Sequence, residues 1–466
     1  MFRVIVAGLG VALGAPLFAQ PSPEVAFSGT IRTRFESWQW FEGDADPSYR
    51  FLGSFVRLAA SQQRDCYDWH VEFMAPILLG LPENAIGPGV QGQGGMGASY
   101  FAASGGARNA ANLFPKQAFV RLKGGAHSLR LGRFEFSDGG EVAPPHAALA
   151  AVKRDRVNQR LVGPFGFTHV GRAFDGGHYL YQKGSTNVTA LSVMPTRGVF
   201  QTNGWGNLKI SLTYGSVTRQ VRNGEWRAFG IFYYDPRDVL KVDNRPLPVR
   251  AADRESLRLG TFGGHWLQAA GPIDILLWGA AQTGRWGRLD HRAAAFNGEA
   301  GYQPPVLPRL KPWIRAGYAH ATGDRDPNDS RQGTFFQVMP TPRPFARFPF
   351  FNMMNHDDVF AMLILRPHAQ VTVSAEAHSL RLASRRDLWY LGGGAFQPNT
   401  FGYVGRPAGG SRSLATLWDL NLEYRVNREI TLTAFGAVAR GRSVPEAIYR
   451  RDKNAFYGYL EMLYRF

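Results

Sequence analysis

Arg133 and Glu135 stand two residues apart in Leu129–Asp138 (LRLGRFEFSD), the spacing that puts a cation and an anion on one face of a β-strand. Arg130 falls on the opposite face. Leu129 and Leu131 share the parity of Arg133, so Gly132 reads as a bulge or the strand's end. In Arg172–Gly176 (RAFDG), Arg172 and Asp175 differ in parity, and a regular pleat turns at most one of them inward. Arg315 shares its parity with Trp313 and Gly317. The supply behind these residues is large: of 53 basic side chains, eight are Lys and 45 are Arg. The planar guanidinium fork makes two parallel hydrogen bonds to a carboxylate or phosphate. A narrow passage lined by one sign of charge concentrates the opposite ion. A GC-rich coding sequence, or arginines that bind lipopolysaccharide phosphates outside, explains the total count equally well. It explains inward-facing strand positions less well.

Other residue sets carry weaker chemistry. Asp324, Asp326, Asn328 and Asp329 begin like a calcium loop, which makes Asp324 and Asp326 weak metal candidates. Position six is Asp329 rather than Gly, and position twelve is Phe335 rather than Glu. A solvated loop, or one paired with Arg325 and Arg331, is the better reading. His356, Asp357 and Asp358 sit together and His320 is near Ser330, but no nucleophile motif accompanies them. No catalytic site and no cofactor are therefore expected. The lone Cys66 excludes an internal disulfide and a cysteine zinc cluster.

The elements that must position these residues are strands. After residue 24 the chain alternates at period two, in segments of about ten residues, with almost no sustained helical period. Val371, Val373, Ala375 and Ala377 oppose Thr372, Ser374, Glu376 and His378. Trp418, Leu420, Leu422 and Tyr424 oppose Asp419, Asn421, Glu423 and Arg425; Tyr67–Phe73 alternates in the same way. Further strands are expected near 27–39, 50–60, 117–123, 186–194, 207–215, 226–234, 255–269, 272–283, 312–321, 357–366, 429–439 and 455–466. A soluble sandwich also alternates, so period two alone does not place the apolar face in lipid. The connections do. Tight turns at Gly124–Ala126, Ala270–Pro272, Arg366–His368 and Val426–Arg428 alternate with long polar or Gly/Pro-rich stretches at 82–115, 138–170, 322–356 and 391–413, the rhythm of a transmembrane barrel. Aromatics near strand ends (Trp38, Trp40, Phe41; Phe232, Tyr233, Tyr234; Trp389, Tyr390) suggest interfacial girdles.

Both ends of the chain agree. Met1–Gln20 has one charge at Arg3, an apolar stretch and small residues near Ala19, the layout of a secretory signal peptide over 1–19. The last strand reads AFYGYLEMLYRF and ends at Phe466, which resembles the terminal signal that the barrel assembly machinery recognises. A formal charge of +17 would suit a nucleic-acid partner, but the export signal and lipid-facing strands argue against one. The fold class is all-β: residues 20–466 form a single transmembrane antiparallel barrel of roughly 16–20 strands, with short periplasmic turns and long extracellular loops. The implied location is the bacterial outer membrane, among lipid and lipopolysaccharide.

Four strings resemble the alginate export family in order along the chain. They are Leu129–Asp138, Arg172–Gly176, Arg315–Pro327 (RAGYAHATGDRDP, followed by Gly333–Phe335) and Asp387–Tyr390 (DLWY). Thr322 stands where the family more often has Ser, and the Gly/Ala-rich insert 84–112 has no counterpart. The resemblance implies eighteen strands, a lumen rich in Arg with interspersed Asp and Glu, a monomer, and passage of an acidic polysaccharide. It raises Arg133, Glu135, Arg172, Asp175 and Arg315 as pore-lining candidates. The rival expectations are a general porin for small organic anions and a structural or adhesive barrel plugged by the loop 84–112.

Overall fold

The computed structural model describes residues 24–43, 48–85, 95–342, 345–349, 352–449 and 452–466. The expected signal peptide, 1–19, lies outside the described residues. Eighteen long strands, from Ala26–Gln39 to Asn454–Arg465, pair antiparallel with their chain neighbours. The last strand pairs with the first from Thr30 with Arg465 to Gln39 with Phe456, and this closes the barrel. Reciprocal backbone bonds of 2.7 and 3.0 Å between Gly29 and Phe466 finish the seam. Closure leaves no strand edge unpaired in the hydrocarbon, where each missing backbone bond costs several kcal/mol.

The expected long stretches all emerge at one end of the barrel, the extracellular end. The tight turns emerge at the other, with one shift: the strand His356–His368 runs through Arg366 and Pro367, and its register slips between Leu365 and His368. Three strands have no counterpart in the expected set: His127–Phe134, Phe174–Lys183 and Leu289–Tyr302. The outer face of the last is built from Ala294, Phe296, Gly298, Ala300 and Tyr302, so small residues replace the Leu and Val that mark a lipid-facing strand.

Parity sorts the side chains as alternation requires. Leu420, Trp418, Leu277, Phe296 and Leu460 are exposed on the lipid face. Glu225, His265, Asn297 and Glu299 are buried inside. A charge on the outer face at the bilayer midplane costs about 2–4 kcal/mol, which selects this arrangement. The girdle expectation needs correction. Trp38, Trp40, Phe41, Tyr233, Trp389 and Tyr390 are fully buried, and only Phe232 and Tyr234 of that set face outward. Trp38, Trp40 and Tyr233 occupy the inner parity near the extracellular rim, while Trp389 and Tyr390 belong to a separate hairpin, Leu388–Leu391 with Val404–Pro407. Together with the loops they form an aromatic core inside the mouth, in which Phe336 packs against Tyr233, Trp286, Phe396, Phe401 and Tyr403.

Candidate functional site

Long loops turn into the barrel rather than away from it, two of them through short helices. The helix Ala147–Val152 continues into the wider turn Lys153–Val157 and docks on the inner wall. Lys153 Nζ meets Glu225 Oε1 at 2.5 Å, where His265 Nε2 also arrives at 2.8 Å. Arg156 Nε donates to Glu299 Oε2 at 2.9 Å. In the insert 84–112, the helix Met96–Ala103 packs in the mouth, and its buried Tyr100 hydroxyl accepts the His169 N–H at 2.8 Å. Buried charges of this kind are tolerated only when paired.

Below these loops lies a cavity of about 1240 Å³ that reaches the periplasmic end, where Ser28, Arg366, Arg465 and Phe466 line it. Eleven arginines, eight carboxylates and no lysine contribute to its wall. Near its top the arginines are held in place. Arg34 Nε donates to Glu461 Oε2 at 2.8 Å and Arg34 Nη1 to the Phe167 carbonyl at 3.0 Å. The Arg34 guanidinium also stacks on Phe167 and Tyr459, 4.3 and 4.5 Å from the ring centroids. Arg57 is paired with Glu72 and with Glu135, at 2.5 and 3.2 Å. Arg130 has no carboxylate partner among the described residues: it meets His178 Nδ1 at 3.0 Å and lies 4.1 Å from the Phe134 ring centroid. A planar cation fixed by its flat face leaves edge N–H groups for a passing anion.

Of the sequence candidates, Glu135 lines this cavity, beside Arg57 and Lys116. Arg133 does not share its face. Arg133 keeps the outward parity of Leu129 and Leu131 and forms a two-pronged pair with Asp175, at 2.7 and 2.9 Å, so both candidates sit on the outer side of the wall. Gly132, just before Arg133, has φ +126°, and a Cβ there would stand 2.3 Å from the Ala118 carbonyl oxygen. Arg172 is buried under the loops and donates to the Gly394 and Pro340 carbonyls at 3.0 and 3.2 Å; burial pushes its pKa down to about 10. Arg315 does point inward, but it is buried and paired with Asp274 and, at 3.3 Å, with Glu299. The Asp324 carboxylate accepts the N–H groups of Asp326 and Gly333 at 2.9 and 3.4 Å, and Asp326 accepts that of Asn328 at 3.1 Å, so both cap their own loop.

Two of the quoted strings, Arg315–Pro327 with Gly333–Phe335 and Asp387–Tyr390, meet in one latch. Asp387 accepts from Thr334 Oγ1 at 2.6 Å, the Tyr390 hydroxyl at 2.7 Å and the Asp324 N–H at 2.9 Å. Burial pushes its carboxyl up to about 6. The cavity wall was nonetheless legible: Arg32 and Arg34 alternate with Ile31, Thr33 and Phe35 in the first strand, but lie outside the four strings.

The alginate export family profile matches residues 100–440. The chain belongs to the alginate export family. The family, the closed barrel and its inward loops make the protein an outer-membrane channel rather than an enzyme. None of the curated protein sequences compared with the chain matches it. Among solved structures, OccK9 (OpdG) of Pseudomonas aeruginosa is 11% identical with a TM-score of 0.57, covering 95% of this chain and 98% of its own. The outer membrane protein OpdK of P. aeruginosa is 9% identical (TM-score 0.54; 94% and 98% covered). OccAB2 of Acinetobacter baumannii is 10% identical (TM-score 0.57; 95% and 98% covered). At these identities the likeness concerns the fold.

Proposed function

We propose that this family member conducts an acidic saccharide, a polyuronate or its oligomers, by passive diffusion along the arginine wall of the barrel interior. The observation that carries the reading is the open part of that wall: Arg130 borders the cavity without a carboxylate partner among the described residues, in a lining of eleven arginines and no lysine interspersed with eight carboxylates. Planar forks grip successive sugar carboxylates, while neighbouring carboxylates such as Glu135 and Glu461 keep each grip weak enough to release. Arg34, Arg57 and Arg130 with Glu135 are the proposed contacts near the narrow top, and Arg366 and Arg465 those at the periplasmic mouth. Arg172 and Arg315 hold the loops and wall that shape the passage. The chain works as a monomer, exported by the segment 1–19, surrounded by lipid and lipopolysaccharide, and delivered to the assembly machinery through Phe466.

Efflux from proteoliposomes tests the reading. Oligouronates should leave faster than neutral oligosaccharides of the same length, by tenfold or more. Equal rates for both would replace it with a general pore, and retention of both would mean that the loops close the barrel.

A further inference from the structure

Strands Val371–Arg381 and Ser413–Arg425 bring Glu376, His378 and Asp419 together on the inner wall, with donor atoms within 4.8 Å of one another. Glu376 and Asp419 are direct cross-strand partners. Their Cβ atoms are therefore about 4.5–5.5 Å apart, and like charges in that register repel. His378 lies two residues along the same face, its side chain fully buried. Its Nδ1 meets Asp358 Oδ2 at 2.9 Å, and the Phe360 ring stacks beside it at 5.8 Å. These contacts aim Nε2 at the carboxylates. Nε2 lies 3.4 Å from Glu376 Oε2 and makes no hydrogen bond.

An imidazole that donates through Nδ1 to a carboxylate presents a lone pair at Nε2, the order found behind metal-ligating histidines. Glu376 and Asp419 also line the central cavity, so an ion reaches them from the lumen. Two cations lie nearby: Arg347, whose Nη1 donates to Asn421 Oδ1, and Arg156, which is paired with Glu299 and stacks on the Phe360 ring at 4.4 Å.

We propose that Glu376, His378 and Asp419 form a divalent metal site on the channel wall, with Asp358 orienting the imidazole. One nitrogen and two carboxylates suit Zn²⁺. The fourth position opens to the cavity, where water or a solute carboxylate completes the shell. The proposal goes beyond the saccharide reading and does not depend on it.

The test is titration of the purified full-length barrel, stripped with a chelator, with Co²⁺ and then Zn²⁺ at pH 7.5. The expected result is one Co²⁺ per barrel with a visible absorption band, displaced by Zn²⁺, and a higher unfolding temperature in Zn²⁺. Asp419→Asn and His378→Gln should each weaken binding tenfold or more, while Asp324→Asn leaves it unchanged. If His378→Gln fails to fold, Asp419→Asn and Glu376→Gln carry the comparison. Absence of stoichiometric Co²⁺ would overturn the proposal, with a proton shared by the imidazole and carboxylates in the ion's place. Equal binding by wild type and Asp419→Asn would overturn it too.

Discussion

The two ends of the barrel interior use arginine for different purposes. In the extracellular half, guanidinium groups are consumed by the structure. Arg172 is spent on two loop carbonyls, Arg237 on Asp235, and Arg245 on Asp243 and Asp253. Around them, Phe336 and its aromatic neighbours pack as a dry core under the loops. In the periplasmic half Arg315 is likewise held, by Asp274 and Glu299, but other arginines border an open cavity, and some, like Arg130, face it without a carboxylate partner among the described residues. An abundance of arginine is therefore no measure of anion binding. The partner of each guanidinium decides whether it holds the barrel together or remains available to a solute.

That contrast fixes the order of expected effects. Arg315→Ala should do most damage, because it leaves the buried Asp274 without its cation and removes one of those on Glu299; removing one partner of a buried pair costs about 3–5 kcal/mol. Urea unfolding in lipid vesicles reads the loss, and a change below about 1 kcal/mol would move Arg315 into the solute-facing class. Arg130→Glu should leave stability nearly intact and lower anion over cation permeability several-fold, measured as a reversal potential. If selectivity is unaffected, the open arginines are not the filter.

A pH effect should separate the halves next. The Asp387 carboxyl sits at about 6 in the folded latch against an ordinary 3.8. A carboxyl raised in the folded state favours folding fully below its unfolded pKa, and that contribution is lost as pH rises from about 4 to about 6. The loops should thus resist proteolysis better at pH 4.5 than at pH 7.5, and Asp387→Asn should flatten the difference. The smallest effect is expected from Arg133→Ala, whose pair with Asp175 lies at the outer wall and is partly exposed. It should cost about 1 kcal/mol or less and leave the reversal potential where it was. A clear shift would place Arg133 in the passage.

The barrel was readable from the chain because each strand solves the same problem of lipid outside and polar groups inside. The faces of Val371–Arg381 and Ser413–Arg425 follow from alternation alone. Strand Leu289–Tyr302 escaped because Ala and Gly can face lipid without announcing it. The interior was less legible for a different reason. The parity of Arg315 shows that it shares a face with Trp313, but not that Asp274 and Glu299 wait opposite it, because that depends on register between strands. The strings around Arg172, Asp324 and Asp387 stood out because a loop latch needs particular residues at particular places. A wall of weak contacts needs only arginine at inward positions, so its members, Arg32 and Arg34 among them, carry no motif.

The central claim is that the open arginines select an acidic saccharide. Its most direct test is the reversal potential of single refolded barrels in a planar bilayer under a KCl gradient, before and after polyuronate is added to the periplasmic side, for the wild type and Arg130→Glu. The account predicts an anion-selective wild type whose current polyuronate blocks, and a variant in which both selectivity and block are reduced. A cation-selective or unselective wild type, or a polyuronate block that Arg130→Glu leaves unaltered, would contradict it.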